Sequence, residues 1–429
     1  MARPRLLLIN KFYHDVGPAG GVGRYLVQEE EDLTAAGWDV IPFAMADEHA
    51  RPTPWDRFFV KARDYSAPRF GLGALGDAAS LVWNREAARK LEALIQEARP
   101  DVAHLHNIYH HLTPSILPVL ARHGIPVVMT LHDLRLLCPA IHMLRQDEVC
   151  EKCKGGHLHN AVLGKCVKES RAASLLAAVE TLHQRTRRMY EETVKVFLCP
   201  SGFYKEKYAQ WGYPTGKLVH LPNFVDLDFW HPDQIPAAKE KDAFIYFGRI
   251  SREKGIRTVL DALSLWERGH RNGTLDKPLR FLVAGTGPCE QNLLARISQL
   301  GLKSVEVLGS LDIDGLRLAL SRARFSIMPS RWYENGPMAA LESLASGIPL
   351  VGTRMGGIPE MIVEGRTGWV VAPGDPEAML QAMLEATRSH QDQSKDRGVA
   401  CRKWAVDHAD RTAHMKRLMA ILEKARTGQ

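Results

Sequence analysis

Two acidic side chains and two basic ones stand where they could handle a charged, hydroxyl-rich ligand. Glu334 and Glu342 lie eight residues apart in Pro329-Ser-Arg-Trp-Tyr-Glu334-Asn335-Gly336-Pro337-Met-Ala-Ala-Leu-Glu342. Pro337 suits the start of a helix and Gly347 its end. Glu334 would then sit on the loop before the helix and Glu342 within it. At 1.5 Å rise per residue the carboxylates would be of order 10 Å apart. That span could bridge a sugar and a ribose, and the helix N-terminus between them offers free N–H groups to an anion. On spacing alone, a capping carboxylate and a solvated helix glutamate describe the pair better, because two glutamates eight apart are common. The bases are Arg249 and Lys254, in Tyr246-Phe-Gly248-Arg249-Ile-Ser-Arg-Glu-Lys254-Gly255 after a strand. An arginine grips phosphate through two N–H groups and a lysine adds a point charge. Together they could hold a departing diphosphate without a metal.

A glycine-rich turn, Gly17-Pro-Ala-Gly20-Gly21-Val-Gly23-Arg24, follows the first strand and could cradle phosphate. No third glycine completes a dinucleotide fingerprint, which disfavours a nicotinamide oxidoreductase. Gly285-Thr-Gly287 closes a later strand in similar fashion. His132 ends a strand and precedes Asp133. It is one of 18 histidines, so its place matters more than its type. His106, His110 and His111 end another strand, as an acceptor-side lining or a polar loop. Asp226-Leu-Asp228 and Asp312-Ile-Asp314 match a metal-binding triplet, but the first falls in a linker and the second suits a helix cap.

Cys138, Cys150, Cys153 and Cys166 fall within 29 residues, with a two-residue gap and Gly155-Gly156 behind it. Four soft ligands suit a structural zinc; a loop with four free thiols, or a redox pair at Cys150 and Cys153, fits the same spacing. Cys199, Cys289 and Cys401 are isolated.

The elements around these residues alternate. Short apolar runs at 5–9, 39–43, 102–105, 126–131 and 196–200 read as buried strands, with helical stretches at 24–36, 84–98 and 171–192. The pattern restarts with strands at 243–248, 280–284, 305–308, 325–329 and 349–353 and helices at 255–268, 289–300, 312–322 and 337–345. Such alternation predicts two doubly wound α/β domains. Residues 1–225 form the first, with a Cys-rich insertion at 138–166. Residues 226–242 read as a linker, 243–405 as the second domain, and 406–429 as a helix and tail packing back on the first.

With 429 residues, two domains is the natural expectation. Hydrophobic residues at 45% and charged ones at 24% exclude a disordered or collagen-like chain. No apolar run approaches the ~18 residues of a membrane span, and the four-residue run at Leu6–Ile9 is too short for an export signal. Net charge is +7, too evenly spread for a nucleic-acid binder. The local excess, nine basic against four acidic groups, lies in residues 152–195. An odd count of seven cysteines without an export signal points to a reducing, cytoplasmic setting, with the peripheral cytoplasmic face of a membrane as a second site.

The ordered set of motifs resembles the retaining, nucleotide-sugar-dependent glycosyltransferases of family four, which have the GT-B fold. It comprises Gly20-Gly21, Thr130-Leu-His132-Asp133, Arg249…Lys254 and Glu334-x7-Glu342. The stretches 10–13, 104–109, 222–226 and 356–360 are similar to members that build bacterial polysaccharides. The resemblance implies that Glu334 holds donor-sugar hydroxyls and Glu342 the ribose. Arg249 and Lys254 would bind the diphosphate, Gly20 and Gly21 would approach it from the first domain, and His132 would flank the sugar. Gly309, Ser310 and Leu311 would line the base, and Asn335, Gly336 and Pro337 would complete the donor loop. Glu334-Asn-Gly-Pro337 departs from the Glu-Gly-Phe-Gly of many members, and Gly21-Val-Gly23 lacks their acidic residue. The implied partners are a UDP- or GDP-sugar and a glycan or lipid-linked acceptor, with no cofactor needed for catalysis. The rival reading is a nucleotide-sugar sensor or inactive scaffold.

Overall fold

A computed structural model describes residues 3–14, 20–62 and 80–428. It contains two six-stranded sheets, each parallel throughout. Across the first sheet the strands run Leu218–His220, Val194–Cys199, Val127–Thr130, Val102–Leu105, Arg5–Ile9 and Asp39–Phe43. Across the second they run Val305–Gly309, Arg280–Ala284, Ala243–Phe247, Ala323–Met328, Leu350–Thr353 and Gly368–Val371. Leu6 to Ile9 and all of Ala243–Phe247 are buried, which parallel strands covered on both faces require.

Strand order reverses beside Arg5–Ile9 in the first sheet and between Ala243–Phe247 and Ala323–Met328 in the second. Connections diverge there and open a crevice at the carboxyl ends. Lys11, His106 and His132 follow strands of the first sheet; Arg249 and Ser330 follow the central pair of the second.

Three stretches differ from the sequence expectation. Residues 226–242 are not a free linker, because Trp230 is buried in the second domain's core with Leu344 and Ala405. The helical stretch at 171–192 divides into Arg171–Thr186 and Met189–Thr193, since Arg188 turns left-handed at φ 46°. The last stretch divides at Asp410 into Pro376–Ala409 and Arg411–Thr427. Asp410 is extended, pairs with Val225 in an isolated parallel bridge, and accepts from Ala413 N at 2.6 Å as the cap of the final helix. That helix lays Met415, Leu418 and Leu422 against Leu6, Val128 and Phe224 of the first domain. Arg411 pairs there with Asp32 at 2.7 Å.

Candidate active site between the domains

The second domain brings Lys254 and Glu334 together. Lys254 ends the turn Arg252–Lys254, and Gly255 follows with φ +70°. A Cβ on Gly255 would lie 2.0 Å from Pro329 O, so only glycine lets this turn lie against the loop carrying Glu334. Lys254 Nζ then donates to Glu334 Oε1 at 2.7 Å, and Ser330 Oγ donates to the same oxygen. Burial pushes the Glu334 carboxyl up, but the Lys254 charge and these hydrogen bonds outweigh it and hold it below its ordinary range. Gly356 packs beneath this loop: a Cβ there would lie 2.0 Å from Glu334 O. Arg249 is exposed, and its side chain makes no hydrogen bond among the described residues. Its charge reaches Lys11 and His142 across the crevice.

Glu342 lies in the helix Met338–Ala345, which Pro337 precedes. The helix closes with Gly347 N donating to Leu344 O and Ile348 N to Ser343 O, a Schellman ending. Glu342 is 3% exposed, and its hydrogen-bond partner is Arg24 Nη1 at 2.9 Å, from the first domain. Burial raises its pKa, and Arg24 only partly offsets this. Gly20 opens the helix Gly20–Ala35, and a Cβ on Gly21 would come 3.3 Å from Met338 Cγ. The earlier part of that glycine turn, residues 17–19, lies outside the described residues.

The donor loop also spans the two domains. Asn335 Nδ2 donates to Leu131 O at 3.0 Å, and Asn223 Nδ2 to Gly336 O at 2.9 Å. Gly309, Ser310 and Leu311 stand at the carboxyl end of the sheet's edge strand, with Ser310 exposed and Leu311 packed on the core that holds Leu341. No hydrogen bond among the described residues ties them to Glu342. Asp312 caps its helix through Gly315 N at 2.8 Å, and Asp226 accepts from Phe229 N at 2.9 Å.

On the facing domain His132 is half-buried, and its Nε2 lies 2.8 Å from His106 Nδ1. Behind it, His106 Nε2 is 3.3 Å from Glu29 Oε2, and His104 Nδ1 is 2.5 Å from Glu29 Oε1. His104 Nε2 reaches Thr130 Oγ1 at 2.8 Å. Burial opposes ionisation of Glu29, but the two histidines outweigh it and hold the carboxyl well below its usual range. Burial also lowers His132 well below the ordinary histidine value, so its ring is neutral near pH 7. One proton serves the His106 Nδ1–His132 Nε2 contact, and the neutral His132 ring turns its other nitrogen, Nδ1, away from that contact. Glu29, His104 and His106 also form the one trio among the described residues with ligand atoms within 4.8 Å of one another. Within the trio His104 is hydrogen-bonded to Glu29, while Glu29 Oε2 and His106 Nε2 face each other without a hydrogen bond.

Arg24, Glu29 and Ser330 were not singled out by sequence reasoning. Glu29 had a readable signal: it falls on the buried stripe of its helix with Leu26 and Leu33, where a carboxylate needs partners. His110 turns instead to Glu180, 3.8 Å away, and burial lowers it to about 3.

Cys138, Cys150, Cys153 and Cys166 line one small cavity of about 20 Å³ with Met143, Leu144 and Trp211. Burial and the neighbouring thiols push Cys153 up to about 11, and burial raises Cys138 and Cys166. No three of the four sulfurs all lie within 4.8 Å of one another. A hairpin in this insertion pairs Leu144–Arg145 with Glu148–Val149. Asp147 at its tip accepts from Arg252 Nε at 2.6 Å, and its carbonyl accepts from Arg331.

Residues 19–229 match the family model described as Glycosyltransferase Family 4, and residues 230–403 the one described as Glycosyl transferases group 1. The chain is 26% identical to a glycogen synthase of Mycobacterium tuberculosis over 402 residues, 88% of this chain and 85% of the relative. It is 27% identical to the putative colanic acid biosynthesis glycosyltransferase WcaL of Escherichia coli over 190 residues, 43% of this chain and 45% of the relative. The crystal structure of Anabaena Alr3699/HepE in complex with UDP and glucose superposes with a TM-score of 0.66 at 16% identity, covering 98% of this chain and 100% of that one. With both domains matched, and with two facing parallel sheets, the chain belongs to the family 4 glycosyltransferases and has the GT-B fold.

Proposed function

We propose that this glycosyltransferase moves a sugar, with retention, from a nucleoside diphosphate sugar to an acceptor hydroxyl in bacterial polysaccharide assembly. The observation that carries the reading is the pair of buried carboxylates on one wall of the crevice. Glu342, buried with one partly exposed arginine as hydrogen-bond partner, is suited to two ribose hydroxyls. Glu334, ionised beside Lys254, is suited to accept from sugar hydroxyls. Arg249 and Lys254 take up charge as the diphosphate leaves. His132 offers Nδ1 to a hydroxyl of the sugar from the opposite wall. Gly20, Gly21, Asn335, Gly336 and Pro337 border the donor, and Gly309, Ser310 and Leu311 the base. UDP is the first donor nucleotide to test, because the Anabaena neighbour was crystallised with it.

A melting screen of nucleotide sugars tests this directly. A donor at 100 times its dissociation constant should stabilise the protein by about 2.7 kcal/mol. Arg249→Ala should then lower kcat about 100-fold while the protein still melts normally. Glu342→Ala should weaken the free nucleotide. Product of inverted anomeric configuration, or no donor that shifts melting, would overturn the reading.

We also infer a structural zinc in the insertion. Four thiols around one cavity fit the ion in number and softness, and side-chain rotation would have to draw the sulfurs together. Four protein ligands leave no open position, so the ion would serve folding and no step of transfer.

A further inference from the structure

The helix Arg171–Thr186 is inside out. Its buried face carries Ser174, Glu180, Thr181 and Gln184, with Ala177 and Ala178 between them. Those polar groups are satisfied within the domain: Glu180 pairs with the buried Arg135, Gln184 Nε2 donates to Glu180, and Thr181 donates to Ala177 O. The solvent face carries the apolar residues instead. Leu175 is 54% exposed, Val179 46% and Leu182 50%. Their spacing of four and three residues puts them in one stripe. Leu163, at the end of the preceding helix His159–Leu163, is 67% exposed. A surface helix of a globular domain ordinarily shows the opposite arrangement.

The surroundings say what would cover this stripe. Arg171 stands one turn before Leu175 on the same face, and Arg187 and Arg188 follow the helix end. Lys165 and Lys168 lie just ahead of it, so five exposed cations flank the stripe, with Glu169 as the exposed carboxylate among them. An apolar stripe bordered by cations fits an anionic lipid surface, with side chains entering the acyl boundary and cations meeting the headgroups. No helix among the described residues is long and apolar enough to cross a membrane, so any membrane attachment they provide would be by surface contact. The same helix braces the acceptor-side insertion: Arg185 donates to Cys153 O within it and to Leu137 O just before it.

We propose that the outer face of Arg171–Thr186 is the surface by which the enzyme docks on an anionic membrane. As a route to a lipid-linked acceptor, it rests on the function proposed above; as a binding surface, it can be read without turnover. The test is flotation with vesicles of phosphatidylglycerol and phosphatidylethanolamine, compared with phosphatidylcholine alone. Wild type should float with the anionic vesicles, and less so as salt is raised. The triple variant Leu175→Gln, Val179→Gln, Leu182→Gln should partition at least about tenfold more weakly, with melting and nucleotide binding unchanged. Reversing Arg187 and Arg188 to Glu should weaken partition about fivefold or more per charge. Equal flotation of the triple variant and wild type, or no flotation of wild type, overturns the proposal. So does a self-association that the triple variant abolishes without any vesicle binding, which would give the face to a second copy. Flotation without any sugar transfer would leave the docking surface standing and remove the proposed function.

Discussion

Lys254 and Glu334 illustrate how much one contact can decide. In the folded chain Glu334 ionises at lower pH than in the unfolded chain. Its contribution to stability is therefore complete above the ordinary glutamate value near 4.3, and is lost as pH falls through the depressed folded value. Without Lys254 the cost of burying the charge would dominate and the folded pKa would rise. Stability would then be greatest below about 4.3 and decline as pH climbs through the raised value. The deficit of Lys254→Met relative to wild type should thus be small at about pH 4 and grow toward neutrality, to about 1–3 kcal/mol. That range is discounted because 24% of the lysine side chain stays exposed. Melting curves across pH measure it, and a deficit independent of pH would dissolve the pairing. Both residues were legible in the sequence because each belongs to a short motif at a strand end. Arg24 and Glu342 lie 318 residues apart, and Glu29 and His104 lie 75 apart. Only folding brings those pairs together, so sequence spacing could not join them.

Among the elements, the Cys-rich insertion has the most to reveal. Its hairpin turns through Gln146 and Asp147 at φ 53° and 63°, as a two-residue turn between right-twisted strands requires. With the Cys138, Cys153 and Cys166 thiols pushed up by burial, zinc uptake must release protons. Purified protein should carry about one equivalent of zinc, and Cys150→Ser or Cys153→Ser should release it. Hydrogen exchange should then rise across residues 138–166 before nucleotide binding changes. Metal-free protein with the same protection in this segment would assign the cluster to ordinary packing. The four cysteines announced themselves by spacing, whereas the two helix breaks did not. Apolar residues run on through Arg188 and Asp410, and the second break depends on a bridge to Val225, far away in the chain.

The whole molecule is two sheets presenting their switch points to each other, with loops and helices together making the contacts across the crevice. Glu360 accepts from Gly202 N at 2.8 Å and Phe203 N at 2.6 Å. Tyr204 donates to Tyr333 O at 3.2 Å. Two doubly wound units were readable from the alternation of strand and helix. The closeness of their approach was not, because in most of these contacts a side chain meets a backbone group that every sequence possesses.

The final helix also gives the molecule the logic of a clasp. The chain leaves the first domain near Val225 and returns to it at Asp410, so the second domain is held at both of its ends. A cut in the stretch 236–241 would therefore break the covalent connection and leave two packed ties, Trp230 in the second domain's core and the final helix against the first domain. The carboxyl-terminal fragment would keep its own anchor, with Leu418 and Leu422 seated in the partner fragment's core. Residues 1–237 and 238–429, produced as separate polypeptides, should co-purify and transfer sugar as a two-piece enzyme. Removing residues 411–429 from the second piece should weaken the pairing, and adding Trp230→Ala to the first piece should part them on a sizing column. Fragments that separate with the final helix intact would mean the clasp holds only while the chain is whole.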